Sequence, residues 1–370
     1  MTSPLSFNFF LPTEIVFGAG RFSELGTRLS PEFHRVFLVT DKNVASRVPA
    51  VDLARRSRES RDVRVFPDVV ENPTLENIED GSRKAKEFGA QVVLGVGGGS
   101  PMDAAKGIAL LAENPGPLLR YLKGENPRRN PLPIVCVPTT SGTGSETTPY
   151  AVFTDPEARD KLGYSHPGLF PIFSIVDPTL AYTMPEEVAL NTGLDVLSHA
   201  AESFLSTIAS PLNDALALHV LDEVIAHLEA AIKKDPKAMD RMSYAATMAG
   251  IAITHGGTIL PHIMGYPLTV FHGVPHGRAS AVLLPLVLAF LREKSSVPDK
   301  VRALESRFSA FGGVANFIES FGVPLRLSSY GVGEDDIGDY VQRTIVKSDV
   351  KITPAAVTES DLYFIYRSAL

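Results

Sequence analysis

Seven of the chain's nine histidines fall between His199 and His276. In the stretch Asn191-Thr-Gly-Leu-Asp-Val-Leu-Ser-His199, Asp195 and His199 stand four residues apart. On a helix they share one face, and a carboxylate with an imidazole at that spacing can chelate one divalent ion. Two ligands do not complete a site, so others must come from elsewhere: His255, His262, His272 and His276 are the candidates. The single Cys136 sits in the apolar run Ile134-Val-Cys-Val-Pro138 and is expected to be inert core. A lone cysteine leaves oxygen and nitrogen as the only ligand types for a metal. His219 and His227 occupy an ordinary amphipathic stretch and read as structural, while His34 and His166 take no assignment.

Two loops carry a different chemistry. Val92-Val-Leu-Gly-Val-Gly-Gly-Gly-Ser100 runs from an apolar strand into a helix near Pro101. Its glycines let the backbone approach a ligand, and the helix start adds a positive end. That is an anion site suited to a pyrophosphate; a tight strand-to-helix turn is the plain alternative. Pro138-Thr-Thr-Ser-Gly-Thr-Gly-Ser-Glu146 carries hydroxyls but no lysine. It is therefore not a Walker loop and suits hydrogen bonding to dinucleotide phosphates and ribose; alone it would read as a surface loop. Gly18-Ala-Gly20-Arg-Phe-Ser23 imitates the dinucleotide fingerprint without an acid closing a following βα unit. Asp41, after the strand Val36–Thr40, is the better acid: a carboxylate there can accept from an adenosine ribose and would repel a 2′-phosphate. It could equally cap a helix starting near Asn43.

These residues need a scaffold. Short strands at Val36–Thr40, Val63–Pro67, Val92–Val96, Ile134–Val137 and Ser174–Val176 alternate with helical stretches such as Leu75–Phe88 and Pro101–Leu111. That alternation predicts a mostly parallel sheet with helices on both faces. After Asp177–Pro185 the pattern changes to long helices at Glu186–Thr207, Pro211–Lys233, Pro236–Thr254 and Arg278–Glu293, with no convincing strand. The expectation is two domains, 1–185 and 186–370. The chain has 370 residues, 44% hydrophobic and 21% charged, enough for a large core. A net charge of −7 without a basic stripe argues against nucleic acid or anionic membrane as partner. No apolar stretch reaches about 18 residues, and Met1-Thr-Ser-Pro-Leu-Ser-Phe7 lacks a secretory pattern. The expected location is cytoplasmic.

GGGSPMDAAK (Gly97–Lys106), PTTSGTGSE (Pro138–Glu146), NTGLDVLSHAAE (Asn191–Glu202) and His276-Gly277 occur in this order. The chain so resembles the iron-containing (group III) alcohol dehydrogenase family over nearly its whole length. The resemblance implies an α/β Rossmann-like domain followed by an all-α, dehydroquinate synthase-like helical bundle. It implies metal ligands at Asp195, His199, His262 and His276, with Fe2+ favoured and Zn2+ the alternative. It also implies NAD, with NADP possible, bound by Asp41, Gly97, Gly98, Gly99, Ser100, Thr139, Thr140 and Thr143. Asp103 would lie near the nicotinamide end, Lys161 would bond the ribose, and Leu180 would lie near the adenine. Many members have a histidine where Tyr266 stands, so Tyr266 and His272 are the candidates for the proton path. The segment Lys347–Leu370 lacks the Asn-Pro-Arg of many members, so substrate preference does not transfer. The implied activity is reversible oxidation of a primary alcohol to an aldehyde by a homodimer or larger oligomer. Polyol or glycerol dehydrogenase and maleylacetate-reductase-like activities are alternatives. A dehydroquinate-synthase-like lyase is further off, because Arg278 is nearly the only basic residue among the ligands.

Overall fold

The structure is a computed structural model that describes residues 6–55 and 61–370; residues 1–5, part of the stretch read for a leader, lie outside it. The chain forms two compact units, one of Leu11–Met184 and one of Pro185–Leu370 together with the segment up to Phe10. Residues 6–10 thus group with the helices, not with the sheet as the expected boundary has it. Phe9 stacks on His255 at 4.2 Å, and the Phe10 N–H donates to His255 Nε2 at 3.2 Å.

In the first unit, strands β1 (Glu14–Phe17), β2 (Arg35–Val39), β3 (Asp62–Phe66), β4 (Val92–Gly97), β5 (Ile134–Pro138) and β8 (Phe173–Val176) form one parallel sheet, ordered β1-β8-β5-β4-β2-β3. Side chains alternate between faces, so both faces of the sheet must be apolar. Val36, Leu38, Val92, Leu94 and Val96 pack with helices α1 (Leu25–Arg28), α2 (Lys42–Ala45) and α3 (Ala50–Arg55). Phe37, Val39, Val93 and Cys136 pack with α4 (Leu75–Phe88), α5 (Gly99–Glu113) and α6 (Leu118–Leu122) on the other face. Each fully buried Val or Leu contributes about 1.5–3 kcal/mol. The chain leaves β2 toward β3 on one side and β4 toward β5 on the other. That reversal opens a crevice at the carboxyl ends of β2 and β4, where ligands of such sheets bind. Asp41 and the loop from Gly97 sit there.

Two features of this unit escape the strand expectation. β1 adds an edge strand beside β8, so Gly18-Ala-Gly20 is its exit turn. β6 (Tyr150–Asp155) and β7 (Asp160–Ser165) form a separate antiparallel hairpin, whose turn is held by Asp155 Oδ1 accepting from the Glu157 and Ala158 N–H groups.

The second unit consists of α7 (Glu186–Leu205), α8 (Pro211–Ile232), α9 (Pro236–Gly256), α10 (Leu260–His272), α11 (His276–Lys294), α12 (Pro298–Arg307), α13 (Val314–Glu319), α14 (Glu334–Ile345) and α15 (Glu359–Ser368). Among the described residues no strand lies beyond Val176. Ser210 caps α8 by accepting from the Asn213 N–H, and Asp235 caps α9 by accepting from the Ala238 N–H. α7 packs against α8, α9 and α11. Every residue from Gly193 to Leu205 is buried, polar ones included, so the helix runs through the core of its unit. α10 was not expected, because Pro261, Gly265 and Pro267 interrupt its pattern. Pro261 falls in the first turn, where proline is tolerated, and Leu260, Ile263, Met264 and Leu268 are buried. No described helix is long and apolar enough to cross a membrane.

Candidate metal centre

Asp195, His199 and Glu202 lie on one face of α7, at i, i+4 and i+7, and all three are buried. Three titratable groups inside an apolar helix are costly unless something compensates their charges. α10 brings His262 and the first residue of α11 brings His276 to the same point. Asp195 Oδ1 lies 3.8 Å from His199 Nε2, 3.6 Å from His262 Nε2 and 3.9 Å from His276 Nε2. One ligand atom each from Asp195, His262 and His276 falls within 4.8 Å of the others, and the His199 ring stacks on His262 at 4.7 Å. Gly277 makes the approach possible. A Cβ there would stand 2.2 Å from the Asn191 carbonyl oxygen and 2.6 Å from Asp195 Cβ, so any side chain would push α11 off α7.

Asp195 Oδ1 and His262 Nε2 are buried without a hydrogen-bond partner. Leaving such atoms unsatisfied costs about 1–3 kcal/mol each, and native proteins rarely do so. A divalent cation satisfies them, and one carboxylate with imidazoles is a donor set that Fe(II) or Zn(II) takes. The residues therefore fit a metal ion.

Behind the cluster, His262 Nδ1 lies 2.5 Å from Glu202 Oε1, while Glu202 Oε2 accepts from the Ile259 N–H at 2.8 Å. This carboxylate fixes the tautomer and orientation of the imidazole and leaves Nε2 facing Asp195. Sequence reasoning gave Glu202 no role, although it lies on the ligand face of α7 one turn after His199. Burial opposes the Asp195 charge, yet His199, His276 and His262 hold its carboxyl well below the ordinary range. Burial likewise opposes a charge on His262, but the carboxylates of Glu202 and Asp195 outweigh it and push the ring up to about 10. Burial pushes Glu202 up, with His262 working against the shift. A proton and a metal ion would compete for His262, so metal binding there would tighten as pH rises.

Tyr266 joins this group, its ring 5.9 Å from that of His276. His272 does not: its Nε2 lies 2.5 Å from the Tyr340 hydroxyl. His255 Nδ1 bonds the Ile251 carbonyl, and His219 and His227 both lean on Glu223. His166 Nδ1 accepts from the Gly168 N–H. Arg278 donates to Asn191 Oδ1.

In the sheet unit the two loops meet. Gly98 caps α5, and a Cβ at Gly99 would stand 2.6 Å from Thr143 Cγ2. The Thr139 N–H donates to the Gly97 carbonyl, and Ser100 Oγ accepts from the Asn72 N–H. Thr140 lies against Gly98. Asp41 is the cap of α2, with Oδ1 accepting from the Asn43 and Val44 N–H groups. Asp103, expected near the nicotinamide, spends both oxygens inside the fold: Oδ1 accepts from the Ser145 hydroxyl at 2.7 Å and Oδ2 from the Val152 N–H at 2.9 Å. One turn on, the buried Lys106 ammonium contacts Ser145 O at 2.7 Å, Ser145 Oγ at 2.8 Å and Tyr150 O at 2.6 Å, pinning the threonine loop to α5. Lys161 is buried on β7. Leu180 lies in the 3-10 turn Pro178–Ala181, against the α1–α3 side of the sheet core. Burial pushes the Cys136 thiol up to about 12, so it stays protonated and inert.

A parallel sheet with a phosphate-type loop at its crevice, and a helical unit with an oxygen–nitrogen cluster suited to a metal, fit a metal-dependent enzyme that binds a dinucleotide. Known proteins narrow it. The family described as "Iron-containing alcohol dehydrogenase" matches residues 12–178, and "Fe-containing alcohol dehydrogenase family, C-terminal" matches residues 189–370. The NAD-dependent methanol dehydrogenase of Bacillus methanolicus is 31% identical, covering 98% of this chain and 100% of that relative. A solved iron-containing alcohol dehydrogenase from Thermotoga maritima is 32% identical, with a TM-score of 0.88 over 99% of each chain. An alcohol dehydrogenase from an archaeal Red Sea brine pool organism is 28% identical, with a TM-score of 0.92 over 100% of each chain. The chain belongs to the iron-containing alcohol dehydrogenase family and is an alcohol oxidoreductase.

Proposed function

We propose that this chain catalyses the reversible, NAD-linked oxidation of a primary alcohol to an aldehyde, at a metal held by Asp195, His199, His262 and His276. The observation that carries the reading is the convergence of three imidazole Nε2 atoms within 3.9 Å of the buried Asp195 Oδ1. The ion, Fe2+ with Zn2+ as the alternative, supplies a Lewis-acid charge at the alcohol oxygen. The chain's own residues do the rest. Residues 11–184 serve as the cofactor unit, with Gly97, Gly98, Gly99 and Ser100 presenting backbone N–H groups to the pyrophosphate. Thr139, Thr140 and Thr143 supply hydroxyls, Lys161 bonds the ribose, and Leu180 borders the adenine. Asp103 acts by holding the threonine loop in place.

Alcohol and NAD+ give aldehyde, NADH and one proton. NAD, when bound, would take up the hydride of the alcohol carbon, and the hydroxyl proton would leave to solvent. Tyr266, beside His276, is the nearer of the two proposed proton carriers. A route through His272 would pass the Tyr340 hydroxyl. A cytoplasmic homodimer or larger homo-oligomer completes the reading. The direct test is growth of reduced-nicotinamide absorbance when metal-loaded protein meets NAD and short primary alcohols. Sustained growth supports it, and NAD binding without turnover refutes it.

Asp41 sets the preference for NAD. Its Oδ1 takes both cap bonds, which leaves Oδ2 for the ribose hydroxyl. Asp41→Gly, which an N-cap tolerates at a cost of a few tenths of a kcal/mol, is expected to lower the NAD/NADP ratio of kcat/KM about tenfold or more. An unchanged ratio would show that Asp41 is a cap alone.

A further inference from the structure

We propose that the sheet unit carries a second ligand site, for a small phosphate monoester, at the end of the sheet opposite the dinucleotide crevice. A cavity of about 700 Å3 lies there, between the last turns of α4 and α5, helix α6 and the loop that leads into β5. That is the size of ordinary small-molecule sites. Its whole lining belongs to Leu11–Met184, with Gly89 and Ala90 standing just before β4 and Leu132 just before β5. It thus sits at the amino ends of these strands, whereas Asp41 and the loop from Gly97 follow carboxyl ends. No residue assigned to the metal or the dinucleotide lines it.

Charge decides what the cavity takes. Four cations line it, Lys86, Arg120, Arg128 and Arg129, against the two carboxylates of Glu113 and Glu125. Glu125 is spent on Arg120, whose Nε and Nη2 donate to it at 2.7 and 2.5 Å, and Glu113 lies 3.5 Å from Arg129 Nη1. Among the described residues, the Lys86 ammonium and the Arg128 guanidinium meet no carboxylate. Two helices end here, and a helix C-terminus ordinarily favours a cation. Its carbonyls are already taken, however. Those of Ala85 and Lys86 accept from the Ala90 and Gly89 N–H groups, that of Leu110 from the Asn114 N–H and Nδ2, and that of Asn114 from the Tyr121 hydroxyl. The two remaining cations match a dianion, and a phosphate monoester carries about −1.5 to −2 charges near pH 7.

The walls are held in place. Asn114 is buried, and its Oδ1 accepts from the Arg128 and Arg129 N–H groups at 2.9 Å each, while Nδ2 also donates to the Arg129 carbonyl at 2.9 Å. The backbone that carries Arg128 is therefore fixed, which lowers the ordering cost of binding. Ala85, Ala112 and Tyr121 give the organic body of the ester an apolar floor.

Isothermal titration calorimetry of the metal-loaded protein with glucose 6-phosphate tests the site, with saturating NAD present to fill the crevice. The expected result is saturable binding at one site per chain, weakening as salt rises. Glucose, with the same body and no charge, should not bind. Lys86 and Arg128 are exposed, so their replacement leaves the fold intact. Lys86→Ala and Arg128→Ala are each expected to weaken binding about three- to fivefold, and the double variant about tenfold or more. Lys237→Ala removes an exposed cation of the helical unit and should change nothing. Unchanged affinity in the double variant would place the ester at the metal or the crevice and overturns the proposal. So does inorganic phosphate binding as tightly as the ester, which would leave an adventitious ion only. Absence of binding by both glucose 6-phosphate and ribose 5-phosphate overturns it as well. The dehydrogenase reading is untouched by any of these results, since NADH formation tests it separately.

Discussion

His262→Ala is expected to lose the metal and to lower kcat/KM for alcohol oxidation about a thousandfold or more, roughly 4 kcal/mol of transition-state stabilisation. The size follows from the double use of this ring. Nε2 faces Asp195 Oδ1 at 3.6 Å, where it is proposed as a ligand, and Nδ1 meets Glu202 at 2.5 Å. Removing the ring takes one donor from the ion and leaves the buried Glu202 carboxylate without its partner. Breaking a buried pair in this way costs about 3–5 kcal/mol of stability. Metal content and thermal melting should therefore both fall. His255→Ala is the control on the same unit: its ring stacks on Phe9 and bonds the Ile251 carbonyl, away from the ligands. It should keep the metal. Metal analysis of both purified variants checks the assignment, and metal loss from His255→Ala with retention in His262→Ala would reverse it.

Glu202→Gln is expected to weaken metal binding by about 10–100-fold without removing a ligand. The amide keeps the shape and can still accept the Ile259 N–H, but it no longer raises the basicity of His262. The pH dependence separates this from a general loss of packing. In the wild type a proton on His262, held up to about 10 by Glu202 and Asp195, competes with the metal near neutral pH. Without the Glu202 charge the ring sheds that proton at lower pH, which offsets part of the loss. The deficit of Glu202→Gln should therefore be largest at alkaline pH and smallest near neutrality. Competition with a chelator at several pH values measures it. A deficit that grows as pH falls would contradict the account of this pair.

Asp195 and His199 were legible because a helix turns every i, i+4 pair into neighbours. His262 and His276 were legible as a set only through the ordered motifs, since no local spacing rule joins the first turn of α10 to the first residue of α11. Glu202 was passed over because a buried carboxylate declares its role only when its partner, sixty residues on, is seen. The parallel strands announced themselves as short Val/Ile runs. The hairpin of β6 and β7 did not, because charged residues crowd its turn. α10 was hidden by prolines and glycine that only packing against α11 overrides. Asp41 could be read as a cap or as a ribose ligand because a carboxylate has two oxygens, and the cap takes one. Asp103 matched a cofactor position by motif, yet its neighbours on β6 and the threonine loop take up both of its oxygens.

The central claim is that alcohol oxidation here depends on one ion at the Asp195–His199–His262–His276 cluster. Protein stripped with a chelator and then titrated anaerobically with Fe(II), or with Zn(II), tests it most directly, with NADH formation from a primary alcohol as the readout. The expected result is negligible activity in the stripped protein and a rise that breaks at one equivalent of metal per chain. Full activity in the stripped protein would contradict it.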